Sequence, residues 1–287
     1  MRDFSKDHRW LSLNTMTVRK QGDLQTIIDA CARHGFRGIS PWRDQVAAMG
    51  LARAAAAIRG AGLELSGYCR GGMFTSDPSR AQEVIDDNRR AVDEAAALGA
   101  PCVVLVVGSL PQYSRPGSSP SKDIAAARAR VKEVLAELLL YARKAKVALA
   151  LEPLHPMYAA DRGCVNTMRH ALDICDELDP QRSGALGLAI DLYHVWWDPE
   201  LKQQIERAGR ERILAFHVCD WLVPTKHLLE DRGMMGDGVI EIQRIRNWLE
   251  AQGFSGYCEV ELFSRHWWDQ PLDTVLRTCV ERHRSVV

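Results

Sequence analysis

Four polar side chains stand at the ends of short apolar runs in the second half of the sequence: Glu152, Asp191, His217 and Glu261. Runs of this length that are rich in Val, Leu and Ile predict strands covered on both faces, as in a parallel sheet. Parallel α/β folds place their chemistry at the carboxyl ends of the strands, so we expect these four side chains to face one cleft. Three carboxylates and one imidazole are ligands for a divalent metal ion.

The joint placement of three carboxylates is the reason to predict a bound ion. A single carboxylate at the end of a strand more often caps the next helix or pairs with an arginine. Burying three together without a cation would cost several kcal/mol in repulsion and desolvation. Oxygen ligands with one imidazole suit Mn²⁺, Mg²⁺ or Co²⁺ better than a structural Zn²⁺ site, which favours thiolates. The sequence therefore predicts one divalent ion, Mn²⁺ first, with Mg²⁺, Co²⁺ or Zn²⁺ as alternatives.

Two histidines and one arginine lie close to these residues in sequence or follow the same strands. His155 comes three residues after Glu152, and His194 three residues after Asp191. Each histidine also has a purely structural interpretation. His155 could be a turn residue between two prolines, and His194 could be a residue at the start of a helix. As functional groups, His155, His194 and Arg232 are expected to bind a polyhydroxylated substrate and move protons near neutral pH.

Strands and helices alternate along the whole chain. Eight of each over this length predict an α/β fold, a (β/α)8 TIM barrel in one domain over residues 1–287, with a doubly wound sheet as the alternative. No Gly-x-Gly-x-x-Gly follows the first strand, which argues against a nucleotide site there. Loops at about 109–121 and 221–238 are lid candidates. The predicted strands cover residues 10–15, 36–42, 63–69, 102–108, 147–153, 186–192, 213–219 and 257–263. The Ala-rich segment at 46–61 is one of the predicted helices between them.

Composition excludes several other classes of protein. The 287 residues balance 37 basic against 37 acidic side chains, which argues against a general surface for nucleic acid or an acidic membrane. No apolar run approaches the roughly 20 residues of a membrane helix, and no signal core opens the chain, so we expect a cytoplasmic protein. The eight cysteines show no Cys-x-x-Cys spacing and predict buried, reduced thiols.

Tryptophan is abundant after the predicted strands. Paired tryptophans in such loops have no obvious helix face to fill, so we expect at least two to line a substrate pocket by stacking on a sugar ring or a flat aromatic group. The residues are Trp42, Trp196, Trp197, Trp221, Trp267 and Trp268.

Five motifs resemble the xylose-isomerase-like sugar isomerase/epimerase superfamily, which includes ketose 3-epimerases, hydroxypyruvate isomerase and inosose dehydratase. The resemblance implies that Glu152, Asp191, His217 and Glu261 bind one divalent ion. It also implies that His194 and Arg232 contact substrate oxygens, and that the protein is a dimer or tetramer. The motifs are LEPL (151–154), IDLYH (190–194), FHVCD (216–220), MGDGVI (235–240) and VELF (260–263).

Other segments depart from that pattern. His155 stands where many members have asparagine, and SPWRD (40–44) and CRGGMF (69–74) look similar to the larger subunit of C-glycoside deglycosidases. Those metal-dependent enzymes cleave a sugar from an aromatic carbon after oxidation to a 3-keto form, and this reaction is the alternative function, a lyase. If it holds, a small second subunit is expected. Trp42, Arg70 and Trp221 are candidate substrate contacts in either case.

Both functions begin with removal of a proton next to a carbonyl of a small sugar or glycoside. In an isomerase or epimerase, Glu152 and Glu261 would act on opposite faces of the substrate. In an eliminating enzyme, His155 would be the base. An apurinic-site endonuclease of the same barrel type needs three zinc ions, yet only His34 lies between residues 9 and 154. The sequence therefore favours the isomerase or epimerase.

Overall fold

The protein is described by a computed structural model that covers residues 1–75, 78–110 and 121–287. In this part of the chain, nine strands form one sheet in which every strand pair is parallel. Two further strands form a short antiparallel pair. The strands are β1 (Leu11–Asn14), β2 (Gly38–Ser40), β3 (Glu64–Leu65), β4 (Tyr68–Gly72), β5 (Cys102–Val106), β6 (Ala148–Leu151), β7 (Leu186–Asp191), β8 (Ile213–Val218), β9 (Asp220–Trp221), β10 (Arg232–Gly233) and β11 (Cys258–Val260).

Helices alternate with the parallel strands and pack around the sheet. Several begin with a side chain that accepts a hydrogen bond from a free backbone N–H, as Asp23 does from Thr26 and Thr167 does from His170. The helices are α1 (Leu24–Arg33), α2 (Arg43–Met49), α3 (Leu51–Gly60), α4 (Ala81–Leu98), α5 (Ile124–Ala145), α6 (Met168–Leu178), α7 (Leu192–Val195), α8 (Leu201–Arg212), α9 (Ile242–Ala251), α10 (Arg265–Trp268) and α11 (Leu272–Val286).

The sheet curls into a nearly closed barrel. Its strand order is β3-β2-β1-β11-β8-β7-β6-β5-β4, so the first strand lies next to the last. A bridge between Trp42 and Cys69 joins the end of β2 to β4 across the gap. The predicted (β/α)8 TIM barrel is confirmed.

Two predicted elements are each found in two pieces. The strand predicted at 63–69 is divided into β3 and β4 at Ser66, whose hydroxyl donates to Glu259 at 2.7 Å inside the barrel. The helix predicted at 46–61 is divided into α2 and α3 at Gly50, whose φ of +92° is one that side-chain-bearing residues rarely adopt. The predicted strand 257–263 is shorter, so Glu261 lies just beyond its end.

The barrel interior has an apolar part and a polar part. In β6, Leu149 and Leu151 belong to the large core between sheet and helices, while Ala150 belongs to a separate cluster of small side chains. Buried polar side chains occupy the rest of the interior, namely Ser12, Asn14, Ser40, His217 and Glu259. The polar part lies beneath the ends of β1, β8 and β11.

Other sequence predictions have separate outcomes. All eight cysteines are buried and free, as predicted. None of the helices in the described ranges has the length and apolar character needed to cross a membrane. Most of the predicted loop at 109–121 lies outside the described residues.

Candidate metal centre and active site

The four side chains predicted to bind a metal come together at one end of the barrel. Glu152 follows β6 directly, Asp191 ends β7, His217 lies near the end of β8, and Glu261 follows β11. These strands are neighbours in the sheet, and Asp191 pairs in register with His217. One potential ligand atom from each residue lies within 4.8 Å of the other three, and all four residues are buried.

Two of these atoms are buried without a hydrogen-bond partner among the described residues: Oε1 of Glu152 and Nδ1 of His217. They lie 3.4 Å apart. Buried polar atoms are rarely left unsatisfied, because the desolvation cost is then not recovered. Metal–ligand bonds of about 2.1 Å place atoms on opposite sides of an ion about 4 Å apart, so small shifts would bring all four atoms onto one ion. The donor set and its unpaired atoms fit a divalent cation.

The two carboxyl groups on β6 and β7 differ in protonation. Burial raises the pKa of Glu152 to about 7, and the negative charges of Glu261 and Asp191 add to this effect. Burial acts to raise the pKa of Asp191, but the positive charge of Arg232, with further contributions from His194, His217 and the backbone N–H of Tyr193, outweighs burial and lowers that pKa to about 2. Nη1 of Arg232 lies 2.8 Å from Oδ2 of Asp191. Without a cation, Asp191 therefore stays ionised, whereas Glu152 takes up a proton as the pH falls through about 7.

A fourth acidic residue at the site, Glu259, was missed in the sequence. It is buried in β11, with Oε1 lying 3.4 Å from Nε2 of His217, on the opposite side of the ring from Nδ1. Burial disfavours a charged imidazole, but the surrounding carboxylates, led by Glu259, raise the pKa of His217 well above its usual value. The sequence Glu259-Val260-Glu261 did carry a signal: residues two apart in a strand share a face, so Glu259 points to the same side of the sheet as Glu261.

Asn14 connects the carboxylate of Glu259 to that of Glu261. Its Nδ2 donates to Oε1 of Glu259 at 2.7 Å and to Oε1 of Glu261 at 3.0 Å. Its Oδ1 accepts from the indole Nε1 of Trp42 at 2.7 Å. Asn14, at the end of β1, was also missed, because an amide after an apolar run does not distinguish a site from a turn.

Arg232 and His194 border the four candidate ligands. The guanidinium of Arg232 is buried between the rings of Tyr193 and Phe263, with its Cζ 4.4 and 4.8 Å from the ring centroids. Nδ1 of His194 accepts the backbone N–H of His155, and Nε2 lies 3.6 Å from Oδ2 of Asp191. Burial lowers the pKa of His194 to about 3. His194 is therefore a neutral hydrogen-bonding group at physiological pH, whereas Arg232 carries a fixed positive charge.

A cavity opens over the candidate metal ligands. Glu152 and Glu261 line it, so both carboxylates can reach a bound molecule. Four of the predicted substrate contacts also line it: Trp42, Arg70, His194 and Arg232.

His155 and Trp221 are not among the described residues that line this cavity. Their rings stack on each other with centroids 5.1 Å apart, and the ring of Trp197 meets His155 edge-on at 5.5 Å. Nδ1 of His155 accepts the backbone N–H of Met157 at 3.2 Å. The predicted roles of His155 as a base and Trp221 as a substrate contact remain predictions.

At least two of the six tryptophans were expected to line the substrate pocket. In the described part of the chain, only Trp42 lines the cavity. Trp268 is instead buried in the core, where its Nε1 donates to the carbonyl of Met16. Trp196 packs against Trp221 with centroids 5.7 Å apart. Tertiary packing therefore uses most of these rings for structure.

Known proteins share this architecture. A family model described as xylose isomerase-like TIM barrel matches residues 28–282. The chain belongs to the xylose isomerase-like TIM barrel family. An inosose isomerase from Halalkalibacterium halodurans is 26% identical over 218 residues, which cover 74% of this chain and 70% of that relative.

Two solved structures extend the comparison. The crystal structure of protein SMc04130 from Sinorhizobium meliloti 1021 is 56% identical, with a TM-score of 0.91 over 96% of this chain and 98% of that one. A structure of the IolI protein with a bound zinc atom has a TM-score of 0.79 at 21% identity, over 96% of this chain and 97% of the other. At that identity, the likeness to IolI concerns the fold.

In this xylose isomerase-like barrel, the predicted lid at 221–238 lies over the cavity. β9 and β10 pair at its base, and Leu229 lines the cavity. The carbonyl of Leu228 accepts hydrogen bonds from the hydroxyls of Tyr158 and Tyr193, each at 2.7 Å. Two tyrosines from the loop after β6 and from α7 therefore hold this segment against the barrel.

Removing both hydroxyls should loosen the segment. Each hydrogen bond contributes about 1 kcal/mol, so we expect the Tyr158→Phe/Tyr193→Phe variant to be cleaved by trypsin at the exposed Lys226 about 30-fold faster. Tyr141→Phe is the control, because that hydroxyl bonds to Asp93 on the surface. Equal cleavage rates for the wild type and the double variant would show that the tyrosines do not hold the segment.

Proposed function

We propose that this protein is a divalent-metal-dependent isomerase or epimerase of a keto sugar or keto-polyol, which removes a proton from the carbon next to a carbonyl. The main observation is that Glu152 and Glu261 both line one cavity and belong to a four-residue donor set for one ion. The inosose isomerase relative supports a cyclic keto-polyol as one substrate class. The zinc in IolI supports metal dependence; we propose Mn²⁺ first, with Mg²⁺, Co²⁺ or Zn²⁺ as alternatives.

The metal would be held by Glu152, Asp191, His217 and Glu261, and when bound it supplies Lewis-acid polarisation of the substrate carbonyl and a neighbouring hydroxyl. Glu152 and Glu261 follow β6 and β11, which are separated in the sheet by β7 and β8. They would therefore approach the substrate from two sides, one accepting the proton and the other returning it to the opposite face.

Two further groups would stabilise the negative charge that develops on substrate oxygens. Arg232 supplies a buried positive charge at the cavity wall. His194 is neutral, and it would contact a substrate oxygen through Nε2, which lies 3.3 Å from Nη2 of Arg232, since Nδ1 already accepts a backbone N–H. Both side chains are fixed by contacts within the protein, which reduces the reorganisation needed when substrate binds.

Exchange with solvent tests the proton-transfer mechanism. We expect the Mn²⁺-loaded protein, incubated in D₂O with a panel of ketoses and inososes, to place solvent deuterium on the carbon next to the carbonyl of its substrate. Mass spectrometry and proton NMR measure the incorporation, and protein treated with EDTA is the control. Isomerisation with full retention of substrate hydrogen would indicate hydride transfer instead and would contradict the proposal.

The lyase alternative has weaker support. It uses His155 as the base, but His155 packs against Trp221 and Trp197 and does not line the cavity among the described residues. Release of a free aromatic compound from an oxidised aryl glycoside, followed by chromatography, would favour the lyase. The dimer or tetramer and the small second subunit remain predictions.

A further inference from the structure

Three arginines line the cavity, and they differ in how their charges are balanced. Arg232 is paired with Asp191 and Glu261. No carboxylate in residues 1–75, 78–110 and 121–287 lies within ion-pair distance of Arg70. Arg162 lies 3.6 Å from Asp161, but these side chains are 41% and 64% exposed, and surface pairs of this kind contribute little. Two positive charges at the cavity therefore lack a strong partner in the described protein.

These two charges also repel each other. Burial lowers the pKa of Arg70, and the positive charge of Arg162 is the next largest cause of that shift. Placing two guanidinium groups together at a partly desolvated wall is unfavourable unless an anion joins them. The planar N–H donors of arginine match the oxygens of a carboxylate or phosphate, to which they bind in pairs.

The position of the two arginines relative to the candidate metal ligands indicates how a ligand would lie. Arg70 is in β4, and Arg162 is in the loop after β6, whereas Glu261 follows β11 on the other side of the barrel. We propose that Arg70 and Arg162 form an anion-binding subsite that selects sugars carrying a carboxylate or phosphate at the end remote from the reacting carbonyl. The identity of the ligand as a sugar rests on the proposed function, whereas the binding of an anion does not.

Binding of three matched polyols tests this subsite. Glucitol, gluconate and glucitol 1-phosphate share a six-carbon chain of the same configuration and differ only in the group at C1. We expect isothermal titration calorimetry on the Mn²⁺-loaded wild type to show at least one anion binding about tenfold or more tighter than glucitol, because hydrogen bonds to charged groups are the strong ones. The tighter of the two anions identifies the selected group as carboxylate or phosphate.

The Arg70→Gln/Arg162→Gln variant should lose that preference, so that it binds neither anion more than about twofold tighter than it binds glucitol. Arg162→Gln alone, at a partly exposed position, should lose part of it and guards against misfolding of the double variant. Arg169→Gln is the control, since Arg169 pairs with Glu200 outside the cavity. It should keep the full preference.

Two results would overturn the subsite. Equal affinity of the wild type for all three polyols would show that the arginines do not select an anion. An undiminished preference in the double variant would show that another group, such as the metal ion, recognises the carboxylate or phosphate. These titrations measure binding without turnover, so a failure of deuterium exchange would reject the proposed reaction and leave the subsite standing.

Discussion

Replacing Glu152 with Gln should abolish the rise in melting temperature that Mn²⁺ gives the wild-type protein. At a Mn²⁺ concentration of about 100 times the dissociation constant, binding stabilises the wild type by about 2.7 kcal/mol. Gln keeps the size of the side chain but removes one anionic ligand. We expect the dissociation constant to rise more than about 100-fold, beyond the loss typical of groups that only support a ligand. The stabilisation at the same Mn²⁺ concentration then falls below about 0.4 kcal/mol.

The same variant should lose activity about 10²- to 10⁴-fold, since Glu152 is also one of the two proposed proton-transfer groups. Thermal melts with and without Mn²⁺, and metal analysis of the dialysed protein, measure the first effect. Glu94→Gln is a matched control, because Glu94 pairs with Arg43 and Tyr68 away from the site. That control should melt at a lower temperature yet keep its response to Mn²⁺. A full Mn²⁺ response in Glu152→Gln would remove Glu152 from the ligand set.

Glu259→Gln should weaken metal binding about 10- to 100-fold without removing any predicted ligand. Glu259 lies 3.4 Å from Nε2 of His217, where its charge favours a proton on that nitrogen and leaves Nδ1 free to face the other candidate ligands. Gln preserves the hydrogen-bonding size but removes the charge. Ser66 and Asn14 also donate to this carboxylate, one to each oxygen. The glutamine amide replaces one of these oxygens with an NH₂ group, which then faces a donor instead of accepting from it.

Titration of the metal-free variant with Mn²⁺, followed by calorimetry, measures this effect. Glu250→Gln is the control, since the Glu250 side chain is also largely shielded from solvent but pairs with Arg2 on the outside of the barrel. Its affinity for Mn²⁺ should equal that of the wild type. An unchanged dissociation constant for Glu259→Gln would mean that the carboxylate supports the barrel interior rather than the metal centre.

The predictions that succeeded from sequence rest on local rules. Short Val- and Leu-rich runs form buried parallel strands, and the residues after them share one end of the barrel, so Glu152, Asp191 and Glu261 could be placed together. Glu259 was missed although it lies two residues from Glu261. Its significance comes from Asn14, which is 245 residues away in sequence and bonds to it directly.

The amino-acid sequence by itself determined the barrel and which strand ends carry acidic and imidazole groups, because side-chain alternation and strand boundaries follow from neighbouring residues. Only the tertiary structure decided which loop residues face the cavity. His155 packs against Trp221, whereas Arg70 of β4 and Arg162 of the loop after β6 both line the cavity. Loop side chains have no periodicity that assigns them a face, so their positions depend on packing between segments far apart in sequence.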